Sequence, residues 1–199
     1  MKTINLDRYD LLKYMPNGIT AEIGVAKGRF SKHIVEDNKP KKLFLIDAWK
    51  NFDMGYDDAN MVDDNSHEER YQAVKEHFAN NDTVFLVRDY SVEAAKKFED
   101  EFFDWVYIDA NHSYDGVIND LKAWDKKVKQ TGYIWGHDWL PPTHTHEGFD
   151  VNRAVKDFVE EKRYIISFIT KEKRYASYVI SKTQESNDRL LELEKNVSG

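Results

Sequence analysis

The chain contains no cysteine, which removes disulfides, thiolate nucleophiles and thiolate zinc sites from consideration and suits a reducing cytoplasm. It has no apolar run near the roughly 18 residues that a membrane helix requires, so no membrane partner is expected. Residues 1–8 lack the apolar core of a secretory signal, and the cytoplasm is the expected compartment. Positive charge is in short supply: 29 Lys and Arg stand against 36 Asp and Glu, a formal net charge of -7. Nucleic-acid binding takes much of its affinity from cations that neutralise phosphates. The balance therefore points to a small or neutral substrate and to no nucleic acid. No internal repeat, low-complexity segment or linker divides the 199 residues. One domain over residues 1–181 is expected, followed by a polar tail, 182–199, that is either a helix or a frayed end.

What is present is an ordinary globular mixture, 41% hydrophobic, 14% aromatic and 33% charged. Short runs rich in strand formers fall at 19–23, 42–46, 83–87, 104–108 and 132–135. Between and after them lie stretches of helical period, at 29–36, 68–78, 92–98, 114–128 and 151–161. Strands alternating with helices imply a doubly wound α/β sheet, mostly parallel, with helices on both faces. Two further runs, 164–169 and 175–181, are separated by a tight turn and must pair antiparallel. Seven strands are expected in all.

Two of the parallel runs stop at groups able to bind a metal or carry a proton. Phe103-Asp-Trp-Val-Tyr-Ile ends at Asp109, with His112 three residues on, and Tyr133-Ile-Trp-Gly ends at His137 and Asp138. Ligands in open α/β sheets bind outside the carboxyl ends of the strands. Two carboxylates and an imidazole there make a site for a hard divalent cation, with Mg, Ca or Mn favoured by oxygen-rich ligation. Asp109, His137 and Asp138 are the candidate metal ligands. His112 is a candidate general base, because imidazole titrates near neutrality.

At the other end of the expected cleft, Glu22-Ile-Gly-Val-Ala-Lys-Gly28 forms a strand-to-helix turn whose glycines let backbone approach a ligand. The spacing is not the Gly-x-Gly-x-x-Gly of dinucleotide folds, which argues against an NAD-dependent oxidoreductase. Asp47 ends the second strand, where a carboxylate either holds a ribose diol or caps a turn.

Glu22, Gly24, Gly28 and Asp47 together resemble the class I S-adenosylmethionine-dependent methyltransferases. The resemblance implies that the turn wraps the methionine part of S-adenosylmethionine, that Asp47 binds the ribose, and that Asp89, Tyr90 and Ser91 flank the adenine. Ala26 stands where the family's middle glycine would be. The second half carries a narrower likeness. Asp104-Trp-Val-Tyr-Ile-Asp-Ala-Asn-His-Ser-Tyr-Asp-Gly-Val, Asp120-Leu-Lys-Ala-Trp and Thr131-Gly-Tyr-Ile-Trp-Gly-His-Asp138 resemble the macrocin and mycinamicin sugar O-methyltransferase group and the related cephalosporin-hydroxylase-like proteins. That likeness implies Mg2+ on Asp109 and Asp138, with His137 in the place of a further acidic ligand. It implies His112 as catalytic base, Asp109 touching both metal and cofactor, and O-methylation of a small hydroxylated molecule. A catalytically silent ligand-binding protein is the remaining alternative.

Two segments have no readable pattern. The acidic stretch within 48–66 is a cofactor lid, a docking surface for a second subunit in a homo-oligomer, or a solvated insertion. His144 and His146 form a His-x-His pair able to bind metal in an extended loop, or belong to a solvated loop near the substrate.

Overall fold

In the computed structural model the described residues are 1–51, 62–140, 148–172 and 175–198. Eight strands form one sheet: β1 (Lys2–Ile4), β2 (Ile19–Ile23), β3 (Lys42–Asp47), β4 (Val84–Arg88), β5 (Phe103–Ile108), β6 (Val128–Trp139), β7 (Ile165–Thr170) and β8 (Ala176–Ser181). Their order across the sheet is β4-β3-β2-β5-β6-β8-β7-β1. All neighbours run parallel except β8, which is antiparallel to both β6 and β7. The expected α/β architecture and its antiparallel closing pair are present.

The count is a correction, eight strands rather than seven. The extra strand, β1, is three residues long and pairs in parallel with β7 through Lys2, Thr3 and Ile4. Only Ile4 of the three is buried, so nothing in the local pattern marks it. It becomes a strand because β7 presents an open edge.

Among the described residues seven helices cover the sheet: α1 (Arg8–Leu11), α2 (Arg29–His33, continued by a π-helical turn, Ile34–Asn38), α3 (Asp64–His77), α4 (Ser91–Ala95), α5 (Tyr114–Asp125), α6 (Val151–Lys162) and α7 (Gln184–Ser198). Strand residues alternate between two cores. Ala21, Ile23, Val106, Ile108 and Ile134 join the helices α4, α5 and α6 on one face. Leu43, Leu45, Trp105, Tyr107 and Trp135 join α1, α2, α3 and α7 on the other. Leu190 of α7 is fully buried, and Lys182 Nζ, also buried, donates to the carbonyls of Asp125 and Val128 at 2.8 Å each. The segment beyond residue 181 is thus a docked helix. Among the described residues no helix is long and apolar enough to cross a membrane.

The strand order reverses between β2 and β5: β3 and β4 follow on one side of β2, β6 on the far side of β5. Such a reversal opens a crevice at the strands' carboxyl ends. Gly24 follows β2 there and Asp109 follows β5.

Candidate active site

The turn after β2 is built on three residues with positive φ, Gly24 (89°), Ala26 (48°) and Gly28 (67°). Gly24 is required by contact as well as conformation: a Cβ would lie 2.0 Å from the carbonyl oxygen of Asp109. Ala26 adopts the left-handed side that glycine would take, and neighbours hold it there. Its N–H and that of Val25 both donate to Asp47 Oδ2 at 2.9 Å, and its carbonyl accepts from Trp49 Nε1 at 2.9 Å. Asp47 Oδ1 accepts from the Trp49 N–H at 2.7 Å. Asp47 therefore secures the turn, and its Oδ1 keeps capacity for one further donor.

Glu22 lies on β2 beneath this turn. Its carboxyl is buried and hydrogen-bonded by the Ser31 hydroxyl. Burial, with Asp109 and Asp47 nearby, pushes it up to about 8 against the Ser31 hydrogen bond and the Arg8 charge. Glu22 does not line the cleft; Gly24, Asp47, Asp89, Tyr90, Ser91 and Asp109 do, around a cavity of about 270 Å³. Gly28 does not line it either and opens α2. Asp89 is held by the Tyr90 N–H at 2.8 Å and by Lys97 at 2.7 Å, which together lower its pKa. Ser91 Oγ accepts from Trp124 Nε1 at 2.9 Å.

The second cluster stands at the ends of β5 and β6. One ligand atom each from Asp109, His137 and Asp138 lies within 4.8 Å of the others. The sequence places His137 and Asp138 beyond the strand run 132–135; they are within that strand, because β6 runs to Trp139. Consecutive residues on a regular strand face opposite sides of the sheet, yet both reach one cluster. Asp138 has φ of 60°, and the pairing of β6 with β8 shifts register between Gly136 and Trp139. This irregularity, a bulge in effect, re-aims one side chain onto its neighbour's side.

His112 Nε2 lies 3.3 Å from Asp109 Oδ1 and 3.2 Å from Asp138 Oδ2, so the expected base sits between the two carboxylates. Its ring packs on Phe149 with centroids 4.6 Å apart. Burial works to raise the Asp109 carboxyl, but the His112 hydrogen bond and the charges of His137, His112 and Arg8 outweigh it and hold Asp109 well below the carboxylate range. Asp138, buried beside negative Asp109, moves up. Burial disfavours the charged form of His137, yet the hydrogen bond to Asp138 and the facing carboxylate of Glu172 prevail and push it up to about 9.

A sequence-family model described as a methyltransferase domain matches residues 21–139, more than half of the chain. The chain belongs to the methyltransferase-domain family. No curated protein matches it in sequence. Solved structures agree with the fold. An S-adenosylmethionine-dependent methyltransferase from Aquifex aeolicus is 13% identical, with 86% of this chain and 85% of that one covered and a TM-score of 0.59. Fibrillarin from Aeropyrum pernix, solved with natively bound S-adenosyl-L-methionine, is 10% identical, covering 84% and 68% with a TM-score of 0.60. Spermidine synthase from Thermotoga maritima is 13% identical, covering 92% and 60% with a TM-score of 0.58.

The chain carries a methyltransferase domain on a fold it shares with S-adenosylmethionine-dependent methyltransferases, as the resemblance of its first turn implied. In this methyltransferase the cleft and the Asp–His cluster are contiguous, since Asp109 belongs to both. Sequence reasoning missed His67 and Arg70 of α3 and Asp120 of α5, which also line the cleft. It missed Arg8 as well, whose guanidinium reaches Tyr107 OH at 3.2 Å and Asp109 Oδ2 at 3.4 Å. An acid inside an otherwise apolar helical stripe was a usable signal for Asp120, which is buried. Nothing local marked Arg8. Most of the acidic loop (52–61), together with His144 and His146, lies outside the described residues.

Proposed function

We propose that this methyltransferase acts on a hydroxyl oxygen of a small molecule, a sugar or polyol, with the help of a divalent cation held by Asp109, His137 and Asp138. One observation carries the reading: two carboxylates and an imidazole converge within 4.8 Å at the rim of the cofactor cleft. The donor set fits the cation, since it is rich in oxygen and Asp109 is kept ionised. The likeness of the second half to the sugar O-methyltransferase group supports the same substrate class. When bound, S-adenosylmethionine would supply an electrophilic methyl group, and Mg2+ or a similar ion Lewis acidity toward the acceptor oxygen.

The residues of the chain then have separable tasks. Gly24 and the turn it opens let backbone approach the cofactor, and Asp47 fixes that turn while offering Oδ1 to a ribose hydroxyl. Asp89, Tyr90 and Ser91 form the wall beside the adenine. Asp109 bridges the two regions and orients the acceptor relative to the methyl donor, the kind of positioning that contributes most in group transfer. His112 takes the hydroxyl proton on Nε2, and the carboxylates of Asp109 and Asp138 stabilise the imidazolium that results.

Calorimetry with S-adenosylmethionine, NAD and Mn2+ tests the reading. Heat is expected with S-adenosylmethionine and with Mn2+, and Asp109→Asn and Asp138→Asn are expected to weaken the Mn2+ response at least tenfold. Heat with NAD alone would overturn the cofactor assignment; Mn2+ binding unchanged in both variants would overturn the metal assignment. His112→Ala is expected to cut turnover by about 10²–10⁴-fold, the usual contribution of a positioned base.

A further inference from the structure

The candidate metal site has a neighbour that the cofactor chemistry does not use. Glu172, just beyond β7, turns Oε2 toward His137 Nε2 at 3.6 Å. Its other oxygen, Oε1, is pinned by two hydroxyls, Thr170 Oγ1 at 2.6 Å and Ser177 Oγ at 3.0 Å. Thr170 and Ser177 are themselves buried, and the Ser177 N–H donates to Thr170 Oγ1 at 2.7 Å. These contacts lock the carboxylate across the β7–β8 pair, so its direction toward His137 is set by the sheet.

The opposite ring nitrogen has a different neighbour. His137 Nδ1 is hydrogen-bonded to Asp138 Oδ2 at 3.1 Å, inside the group of three that converges, where a bound cation would take the place of the proton in that bond. Glu172 is outside that group. The two nitrogens are thus sorted, Nδ1 to the ligand cluster and Nε2 to a carboxylate behind it.

We infer that Glu172 is a positioning residue for His137: it faces Nε2 across 3.6 Å, an ion-pair rather than a hydrogen-bond distance, and orients the ring so that Nδ1 is the nitrogen that would face the cation. The inference rests on the metal reading above and adds to it a tautomer, a ring orientation and a residue from a different part of the sheet. Imidazoles that bind metals generally give their second N–H to a carboxylate or carbonyl. That partner fixes the tautomer and strengthens the ligand, and losing it typically weakens metal affinity by about 10–100-fold.

The alternative is that Glu172 only ties the β7–β8 pair to β6. Mn2+ titrations of the full chain, of Glu172→Ala and of Glu172→Gln separate the two, with S-adenosylmethionine titrations and urea unfolding run in parallel. The expected result is Mn2+ affinity about 10–100-fold weaker in Glu172→Ala, a smaller loss in Glu172→Gln because the amide oxygen still faces Nε2–H, and unchanged S-adenosylmethionine affinity in both. Mn2+ affinity in Glu172→Ala equal to that of the parent overturns the inference and leaves the metal reading standing. Equal losses for Mn2+ and S-adenosylmethionine also overturn it, in favour of a purely structural tie. Absence of Mn2+ binding to the parent protein overturns both. Imidazole ¹⁵N spectra of the Mg2+-loaded parent give a check that needs no variant: a proton on Nε2 is expected, and a proton on Nδ1 would refute the assignment.

Discussion

Arg8 and Asp109, separated by 101 positions in sequence, meet at 3.4 Å between Nη1 and Oδ2. The same Nη1 reaches Tyr107 OH at 3.2 Å, and the guanidinium carbon sits 5.3 Å from the ring centres of Tyr9 and Phe30. The first helix thereby places a cation against an acid that follows the fifth strand. Arg8→Ala is expected to lower stability by about 2–3 kcal/mol, the range for losing hydrogen bonds to a charged partner. Arg8→Lys is expected to lose less, because charge survives while the planar fork does not. Urea midpoints of the three proteins check both statements, and an unchanged midpoint for Arg8→Ala refutes them.

Ala26 carries a different cost. A residue with a Cβ at φ of 48° sits about 1–2 kcal/mol above its right-handed alternatives, whereas glycine does not. Glycine in turn frees the unfolded chain, worth roughly 0.4–1 kcal/mol in the opposite sense. Ala26→Gly is expected to stabilise by up to about 1 kcal/mol, seen as a higher thermal midpoint, and S-adenosylmethionine is expected to bind the variant at least as well.

Glu22 supplies a pH dependence whose sign can be worked out. Its carboxyl stands at about 8 in the fold against 4.5 ordinarily, so between those values the folded chain holds a proton that the unfolded chain has released. Stability must therefore fall as pH rises through that window and level off above it. The total is on the order of a few kcal/mol. Glu22→Gln keeps the shape and has nothing to release. The difference in unfolding free energy between variant and parent is expected to grow in the variant's favour from pH 5 to pH 8. A difference that stays constant over that range would mean Glu22 ionises normally.

The C-terminal helix is tied down well enough to be tested in the same way. Leu190 is fully buried against the core shared by α1, α2 and α3, and Tyr133 OH donates to the Ser186 carbonyl at 3.1 Å. Leu190→Ala is expected to cost about 2–5 kcal/mol. A frayed tail would make the substitution silent in a denaturant titration.

The central parallel strands were legible because they are runs rich in Ile, Leu, Val and aromatics, mostly buried, and the edge strand β4 because its run of Val, Phe and Leu stands out even with Phe85 exposed. The glycine turn and the acids Asp47 and Asp109, at the ends of β3 and β5, were legible for the same reason, since strand ends locate them. β1 was not, because a three-residue strand with two exposed positions has no pattern and exists only by pairing with β7. The length of β6 was not, since glycine, histidine and aspartate at 136–138 look like a strand's end. They prove to be an irregularity inside the strand, one that puts His137 and Asp138 on the same side. Asp47 stands at its strand's end as expected, but two of its three backbone donors, Val25 and Ala26, depend on how a turn about twenty residues earlier folds back. Arg8 and Glu172 were invisible, for they approach Asp109 and His137 only through the β1–β7–β8 side of the sheet, far from them in sequence.

That last point bears on the order in which the protein becomes competent. Asp109 follows β5, which pairs with β2 and β6, but the irregularity that aims Asp138 lies in the pairing of β6 with β8, and β8, which inserts between β6 and β7, also brings Ser177 and with it the pin on Glu172. Arg8 arrives on a segment whose strand, β1, has no partner until β7 exists. A growing chain that has formed only the parallel half therefore owns the cleft and the acids while lacking the groups that aim them. Residues from the first helix and from the turn after β7 thus meet on the middle of the chain, at Asp109 and His137.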